Sequence, residues 1–270
     1  MRFLFFVFFA LIGALPSIAS DTPWINHGGM LKTRLIAASS AYQTDEGVLL
    51  AWEAKLEPGW KTYWRSPGEA GLPVRIFVGG EEVAPMYPLP SRFDLFGIQT
   101  YGYSHQLLLP FRAAAGPHDL TAIKVDFMVC KDICVPFEYS YALQPFAAEA
   151  SIHDIRFEAW LKKVPVKTGD GDAGLKIIAA KVAGKIGHQK LIVDVSADTD
   201  LSKMDMLAEV NDMFHFAAPQ IRLLENGKKA RLVLTAMTGN MPEELRGKSV
   251  RLTFSNGRGA AIDRILELAK

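Results

Sequence analysis

Two cysteines, Cys130 and Cys134, are the only thiols in the chain, and both lie in the stretch 123–141. Apolar residues alternate with polar ones before the pair and again after it, which is the pattern of two half-buried strands. Lys131 to Ile133 join these strands into a predicted hairpin with one cysteine at each shoulder. Because cross-strand neighbours lie about 4.5 to 5.5 Å apart, the pair can form a disulfide without much movement of the backbone.

A disulfide between these cysteines closes a very short loop. In the chain-entropy model such a loop stabilises a fold by about 2 kcal/mol, against about 4 to 5 kcal/mol for a loop of about 100 residues. The local charges do not decide what the pair does, because Lys131 favours a thiolate and Asp132 opposes it. A structural disulfide and a redox-active dithiol therefore both remain open at this point.

Other chemistries have less support in the residues. Cu(I) prefers soft ligands, and Met128 with the two thiolates offers them. The six histidines are scattered without zinc-like spacing. Neither GxSxG nor HExxH occurs, so hydrolytic chemistry is not indicated. We expect no bound cofactor and no metal, and we keep Cu(I) as an alternative.

The beginning of the chain predicts the compartment. Arg2 precedes an apolar run over residues 3–15, and small residues follow that allow cleavage after Ala19 or Ser20. Residues 1–20 are therefore predicted to be a signal peptide; the alternative is an uncleaved membrane anchor, for which the run is short. We expect a soluble, exported mature protein in a compartment where disulfides persist.

Length and charge limit which architectures and which partners are expected. The formal net charge of +1, without long blocks of like charge, gives no reason to expect nucleic acid or an anionic membrane. The length fits two domains. Short strands between Gly and Pro predict an all-β fold, with an antiparallel β-sandwich in residues 21–148 and a second, smaller β-sandwich in residues 174–270.

Some segments between and within these units have predictions of their own. Residues 149–173 read as a helix, which begins near Ser151 and ends at Pro165, followed by a glycine-rich linker. The stretch 59–73 reads as a long structured loop because of its Pro and Gly residues. Residues 260–268 fit a strand and a short helix equally poorly, and Asn226-Gly227 indicates a hairpin turn.

Four motifs carry a resemblance to a known family. They occur in order: GWKTYWRSPGEAGLP at 59–73, YPLPSRF at 87–93, TYGY at 100–103 and VCKDICVP at 129–136. Together they resemble the periplasmic N-terminal domain of DsbD-type thiol:disulfide interchange proteins, including the related copper-tolerance (Scs) branch. The resemblance covers residues 30–148 and implies an immunoglobulin-like domain of the protein-disulfide reductase type.

The resemblance also implies partners and a redox pair. Such domains receive electrons from a membrane-embedded thiol transporter and pass them to periplasmic thioredoxin-like proteins, with no small-molecule substrate. Cys130 and Cys134 match the pair, with Cys134 forming the mixed disulfide. The best-known members are fused to the transporter and to a thioredoxin-like domain, neither of which is recognised here, so we expect a separate membrane donor.

Further site residues follow from the same resemblance. Asp94, Leu95, Phe96 and Gly97 match the family's cap loop, in which Leu95 and Phe96 would shield the pair from indiscriminate oxidation. Tyr63 and Tyr101 are expected near the pair as packing residues. The alternative of another class is a binding or assembly module with a structural disulfide. The client, the role of the second domain, and service to cytochrome maturation or to copper tolerance stay open.

Overall fold

The computed structural model describes residues 21–95, 97–114, 120, 122–143, 151–168, 171–211, 214–238 and 242–270. Within these residues nearly all regular structure is antiparallel strand, so the predicted all-β class is confirmed. The predicted signal peptide, residues 1–20, lies outside the described residues.

The first sandwich consists of two antiparallel sheets. Its strands are β1 (Ile25–His27), β2 (Leu31–Ala37), β3 (Val48–Leu56), β4 (Lys61–Gly68), β5 (Arg75–Val78), β6 (Glu81–Val83), β7 (Ser91–Leu95), β8 (Ile98–Ser104), β9 (Gln106–Ala113), β10 (Ile123–Cys130) and β11 (Cys134–Tyr141). One sheet has the order β1-β2-β3-β9, and the other contains β4 to β8, β10 and β11. In the second sheet β10 pairs with β11 on one side and with β5 and β4 on the other.

Large side chains from both sheets fill the core of the first sandwich. Trp52 of β3, Trp64 of β4 and Phe111 of β9 are completely buried in it. Residues of β10 alternate, with Val125, Phe127 and Val129 inward and the residues between them outward, as the period-2 pattern predicted. Aromatic side chains bury large apolar areas, so these rings contribute strongly to the stability of the first sandwich.

One local prediction was wrong. The stretch 59–73 is not a loop, because Lys61–Gly68 forms β4, which pairs with β10 and with β8. The pairing with β8 shifts register between Tyr63 and Gly68, and this irregularity accommodates Pro67 within the strand. Pairing on both sides outweighs the loop-like local composition.

A single helix among the described residues packs outside the first sandwich. It spans Asp154–Leu161 (α1), inside the segment in which a helix was predicted. Phe157 is completely buried against Ile36, Leu49 and Leu108 on the outer side of the β1-β2-β3-β9 sheet. On the polar side of the helix Arg156 pairs with Glu53, a carboxylate that is fully buried in β3.

The second sandwich has fewer strands than the first. Its strands are β12 (Leu175–Ala183), β13 (Lys190–Ala197), β14 (Asp205–Glu209), β15 (His215–Phe216), β16 (Gln220–Leu224), β17 (Lys229–Met237), β18 (Ser249–Ser255) and β19 (Ala261–Glu267). One sheet runs β12-β13-β17-β15, with β16 also paired to β17, and the other is β14-β18-β19. The ambiguous segment 260–268 is thus a strand. Asn226, with φ 54°, lies in the turn between β16 and β17, as predicted.

Candidate functional site

The two cysteines form a disulfide at the closed end of the β10–β11 hairpin. They are direct register partners, with Cα atoms 4.1 Å apart and sulfurs 2.00 Å apart. Register pairing continues along the hairpin as far as Ile123 and Tyr141. The strands therefore hold the two sulfurs together independently of the bond between them.

The two sulfurs differ in access. Cys130 is only 2% exposed, because it lies on the inner strand β10 and its register partner on the other side is Lys61 of β4. Cys134 is exposed, since it begins β11, the strand at the edge of the sheet. An incoming thiol can thus reach Cys134, whereas Cys130 is covered by its neighbours.

Tyr63 lies beside the accessible sulfur. Its Oη is 3.8 Å from Sγ of Cys134, and the side chain is almost completely buried. Burial raises the pKa of the Tyr63 hydroxyl, so the group stays protonated and can donate. The ring fits because Gly71 has no Cβ: one built there would lie 2.4 Å from the ring. The contact between Tyr63 and Cys134 thus brings together the motif at 59–73 and the motif at 129–136.

Lys61 is the site residue that sequence reasoning missed. It is 8% exposed, and its Nζ donates to Thr100 Oγ1 at 3.0 Å and lies 5.1 Å from the centre of the Phe93 ring. Among the ion pairs of the described residues none includes Lys61, and burial lowers the pKa of its ammonium. The sequence did not indicate Lys61 because the stretch 59–73 was predicted to be a loop. Had β4 been predicted, its pairing with β10 would have placed Lys61 opposite Cys130.

These residues share one side of a sheet. Lys61 and Cys130 face each other in register, Tyr63 follows Lys61 by two positions, and Cys134 pairs with Cys130. Because side chains alternate along a strand, all of them project from the same face. We call this surface, defined by Cys130, Cys134, Lys61 and Tyr63, the cysteine face.

The predicted cap loop is the tip of the β7–β8 hairpin. Asp94 accepts a hydrogen bond from the Gly97 amide at 3.1 Å, and Leu95 pairs with Ile98 through the backbone. Phe96 lies outside the described residues. The predicted shielding by Leu95 and Phe96 stays a prediction. Phe93, farther down the same strand, contacts the cysteine face through Lys61.

Tyr101 lies on the other face of the β7–β8 hairpin from Thr100. Its hydroxyl donates to the Phe216 carbonyl of the second sandwich at 3.2 Å and accepts from Arg92 at 3.1 Å. Burial raises the pKa of this hydroxyl as well. The structure therefore brings Tyr63 to the disulfide and Tyr101 to the junction between the sandwiches.

Among the described residues no three His, Cys, Asp or Glu side chains come together in a way that could hold a metal ion. None of the helices described has the length and apolar character needed to cross a membrane.

Fold and site together define a class of domain. An antiparallel immunoglobulin-like sandwich carries a cross-strand cysteine pair at the end of an edge hairpin, with one sulfur exposed and one buried. This is the architecture of a β-sandwich thiol–disulfide interchange domain, in contrast to the thioredoxin fold.

Comparison with known families agrees with this class. Residues 32–145 match the model for "Thiol:disulfide interchange protein DsbD, N-terminal", and residues 163–264 match a "Domain of unknown function (DUF8393)". The first segment therefore matches the DsbD-type N-terminal family, as the four motifs predicted. The comparison with curated proteins gave no significant match.

Among solved structures, the chain is similar to the N-terminal periplasmic domain of ScsB from Proteus mirabilis. The likeness has a TM-score of 0.71 at 22% identity and covers 93% of this chain and 99% of that one. It shows a shared fold over both sandwiches. The Ig1-2 module of the Drosophila receptor protein tyrosine phosphatase DLAR also matches, at 10% identity over 88% and 97% of the two chains, but its TM-score of 0.22 is too low to indicate a shared fold.

Proposed function

We propose that this protein performs thiol–disulfide exchange in the periplasm through Cys130 and Cys134, taking electrons from a membrane-embedded thiol transporter and passing them to thioredoxin-like proteins. The observation that carries the proposal is the unequal access of the two sulfurs within a DsbD-type domain. A structural bridge has no need of an exposed sulfur beside a hydroxyl donor. An exchange site needs one sulfur to be attacked and a second one to resolve the intermediate.

The chemistry runs in two balanced halves. A thiolate of the donor attacks Sγ of Cys134, which breaks the disulfide and releases the thiolate of Cys130; the donor's second thiol then displaces Cys134. The reduced pair has gained two electrons and two protons. In the second half Cys134 attacks the disulfide of the acceptor, and Cys130 resolves the mixed disulfide by attacking Cys134, so that the acceptor leaves as a dithiol.

Tyr63 supports the exposed sulfur in this scheme. Its protonated hydroxyl, 3.8 Å from Sγ of Cys134, can donate to the Cys134 thiolate that forms when the donor's second thiol displaces it. A donated hydrogen bond favours the charged form of a group. Cys134 is thus the better leaving group and the better attacking thiolate, while the buried Cys130 is the resolving thiol.

Single-cysteine variants test the assignment of roles. Cys130→Ala leaves the exposed thiol, and Cys134→Ala leaves the buried one. With oxidised glutathione as the probe, we expect Cys130→Ala to form a mixed disulfide about tenfold faster or more, because reaction requires access as well as thiolate. Equal rates would contradict the assignment. Loss of the bridge costs about 2 kcal/mol, so circular dichroism must first show that both variants are folded.

Redox titration tests the function itself. Equilibration of the intact protein with glutathione buffers is expected to give a potential in the range of exchange proteins. A value below about −300 mV is typical of a structural disulfide and would favour the binding-module alternative. Thiol trapping in cells tests the function in vivo. If the protein exchanges electrons, part of it is expected to be reduced when a thiol transporter is present.

A further inference from the structure

The β7–β8 hairpin has two differently occupied faces. On one face Phe93 and Thr100 are cross-strand partners, and both contact Lys61, the register neighbour of Cys130. On the other face the next pair along, Arg92 and Tyr101, contacts the second sandwich. Because alternate residues of a strand point to opposite sides, the hairpin is a layer between the cysteine face and the second sandwich.

The contact with the second sandwich is a specific one. The Arg92 guanidinium makes a two-pronged ion pair with Asp205, with Nε and Nη2 at 2.6 and 2.9 Å from the two carboxylate oxygens. The same Nη2 donates to the Met206 carbonyl at 2.7 Å. Fork-on-carboxylate geometry fixes orientation as well as distance. Three acceptors in β14 and β15, the Asp205 carboxylate and the carbonyls of Met206 and Phe216, thus bind the face of the hairpin that carries Arg92 and Tyr101.

We propose that the second sandwich is a positioning module: through Asp205 and Arg92 it holds the β7–β8 hairpin so that Phe93 stays over Lys61 at the cysteine face and keeps Cys130, the buried cysteine of the disulfide, covered. Arg92 and Asp205 are positioning residues, because neither touches a sulfur. The proposal gives a role to the half of the chain that carries no cysteine. It concerns access to the disulfide and stands whether or not the pair serves the proposed electron transfer.

The rate at which dithiothreitol reduces the disulfide tests the proposal on the full-length mature protein. Asp205→Asn removes the charge of the acceptor while keeping its shape, and we expect reduction to become about threefold faster or more. Asp194→Asn is the matched control, because Asp194 receives a fork of the same geometry from Arg231, at 2.7 and 2.9 Å, within the second sandwich. Its rate should equal that of the parent protein.

A double variant separates positioning from general loosening. Phe93→Ala removes the ring directly and should also speed reduction. If Asp205 acts through Phe93, the double variant Phe93→Ala/Asp205→Asn reacts no faster than Phe93→Ala alone, as coupled residues do in a double-mutant cycle. An unchanged rate for Asp205→Asn would overturn the proposal, and so would additive effects or an equal acceleration by Asp194→Asn. Circular dichroism and melting temperatures confirm that the compared variants are folded.

Discussion

At the scale of single residues, the site depends on a contrast between neighbours. Cys130 and Cys134 are four positions apart, yet one is buried and the other exposed because they end an inner strand and begin an edge strand. Tyr63 comes from β4, 71 positions before Cys134, and its hydroxyl lies beside the exposed sulfur because Gly71 leaves room for its ring. Reactivity here is therefore set by strand order more than by the charges next to the cysteines.

Tyr63→Phe measures the hydroxyl alone. In the Cys130→Ala background we expect the pKa of the remaining Cys134 thiol to rise when the hydroxyl is removed, because the thiolate loses a donor. The pH dependence of alkylation by iodoacetamide reports this pKa. Tyr103→Phe is the control: its hydroxyl is similarly buried and donates to the Pro88 carbonyl at 2.7 Å, away from the cysteines. Identical alkylation profiles with and without the Tyr63 hydroxyl would rule out this role.

At the scale of elements, the cysteine hairpin is fastened to the opposite sheet by a buried polar chain. His27 of β1 hydrogen-bonds to Thr33 Oγ1 at 2.7 Å through Nε2, and Thr33 in turn contacts the hydroxyl of Tyr141 at the far end of β11. The rings of Phe127 and Phe137 pack edge-on against His27, each with its centroid at 5.2 Å. Burial lowers the pKa of His27, because the site disfavours the charged imidazolium.

This arrangement predicts how stability depends on pH. The pKa of His27 is about 6.5 in the unfolded chain and lower in the folded protein, so the unfolded chain binds the proton more readily. The contribution of His27 is complete above about pH 6.5 and is lost as the pH falls through that value towards the folded pKa. We expect the melting temperature to fall between pH 7 and pH 5, and to fall less in His27→Gln. The exposed His188→Gln serves as control; parallel profiles for His27→Gln and the parent would contradict the assignment.

The sequence predicted these elements unevenly, for physical reasons. Alternation revealed β10 and β11 because each has one face in the core and one outside. It failed at β4, where Gly and Pro imitate a loop and pairing on both sides decides the structure. The family motifs led to the expectation that Tyr63 lies near the cysteine pair, and its hydroxyl is next to Cys134. They did not reveal Lys61, whose importance comes from its register with Cys130, nor the unequal burial of the sulfurs.

At the scale of the whole molecule, two apolar cores meet at a junction that has both apolar and polar contacts. The core of the first sandwich includes Leu207 of β14, and the other core lies in the second sandwich. Besides Arg92, the junction contains Arg65 of β4, which forks onto Glu209 with contacts of 2.6 to 3.2 Å and donates to Thr253 at 2.8 Å. No sequence pattern marks such a junction, because an arginine on a strand is normally a solvated residue. Its partner lies 144 positions away.

Arg65→Met tests whether this junction makes the two sandwiches unfold together. Arg65 stacks on Trp64 of the first core, with Cζ 4.0 Å from the ring centre, while its guanidinium binds the second sandwich, so it links both cores directly. Hydrogen bonds to charged groups contribute about 1.5–3 kcal/mol, and loss of several removes much of the coupling between the halves. We expect a single calorimetric transition in the parent protein and two in the variant, with the ratio of van't Hoff to calorimetric enthalpy falling.

Arg231→Met, which breaks a fork inside the second sandwich, should lower the melting temperature without splitting the transition. One undivided transition in Arg65→Met, with an unchanged enthalpy ratio, would show that the two cores are coupled through other contacts.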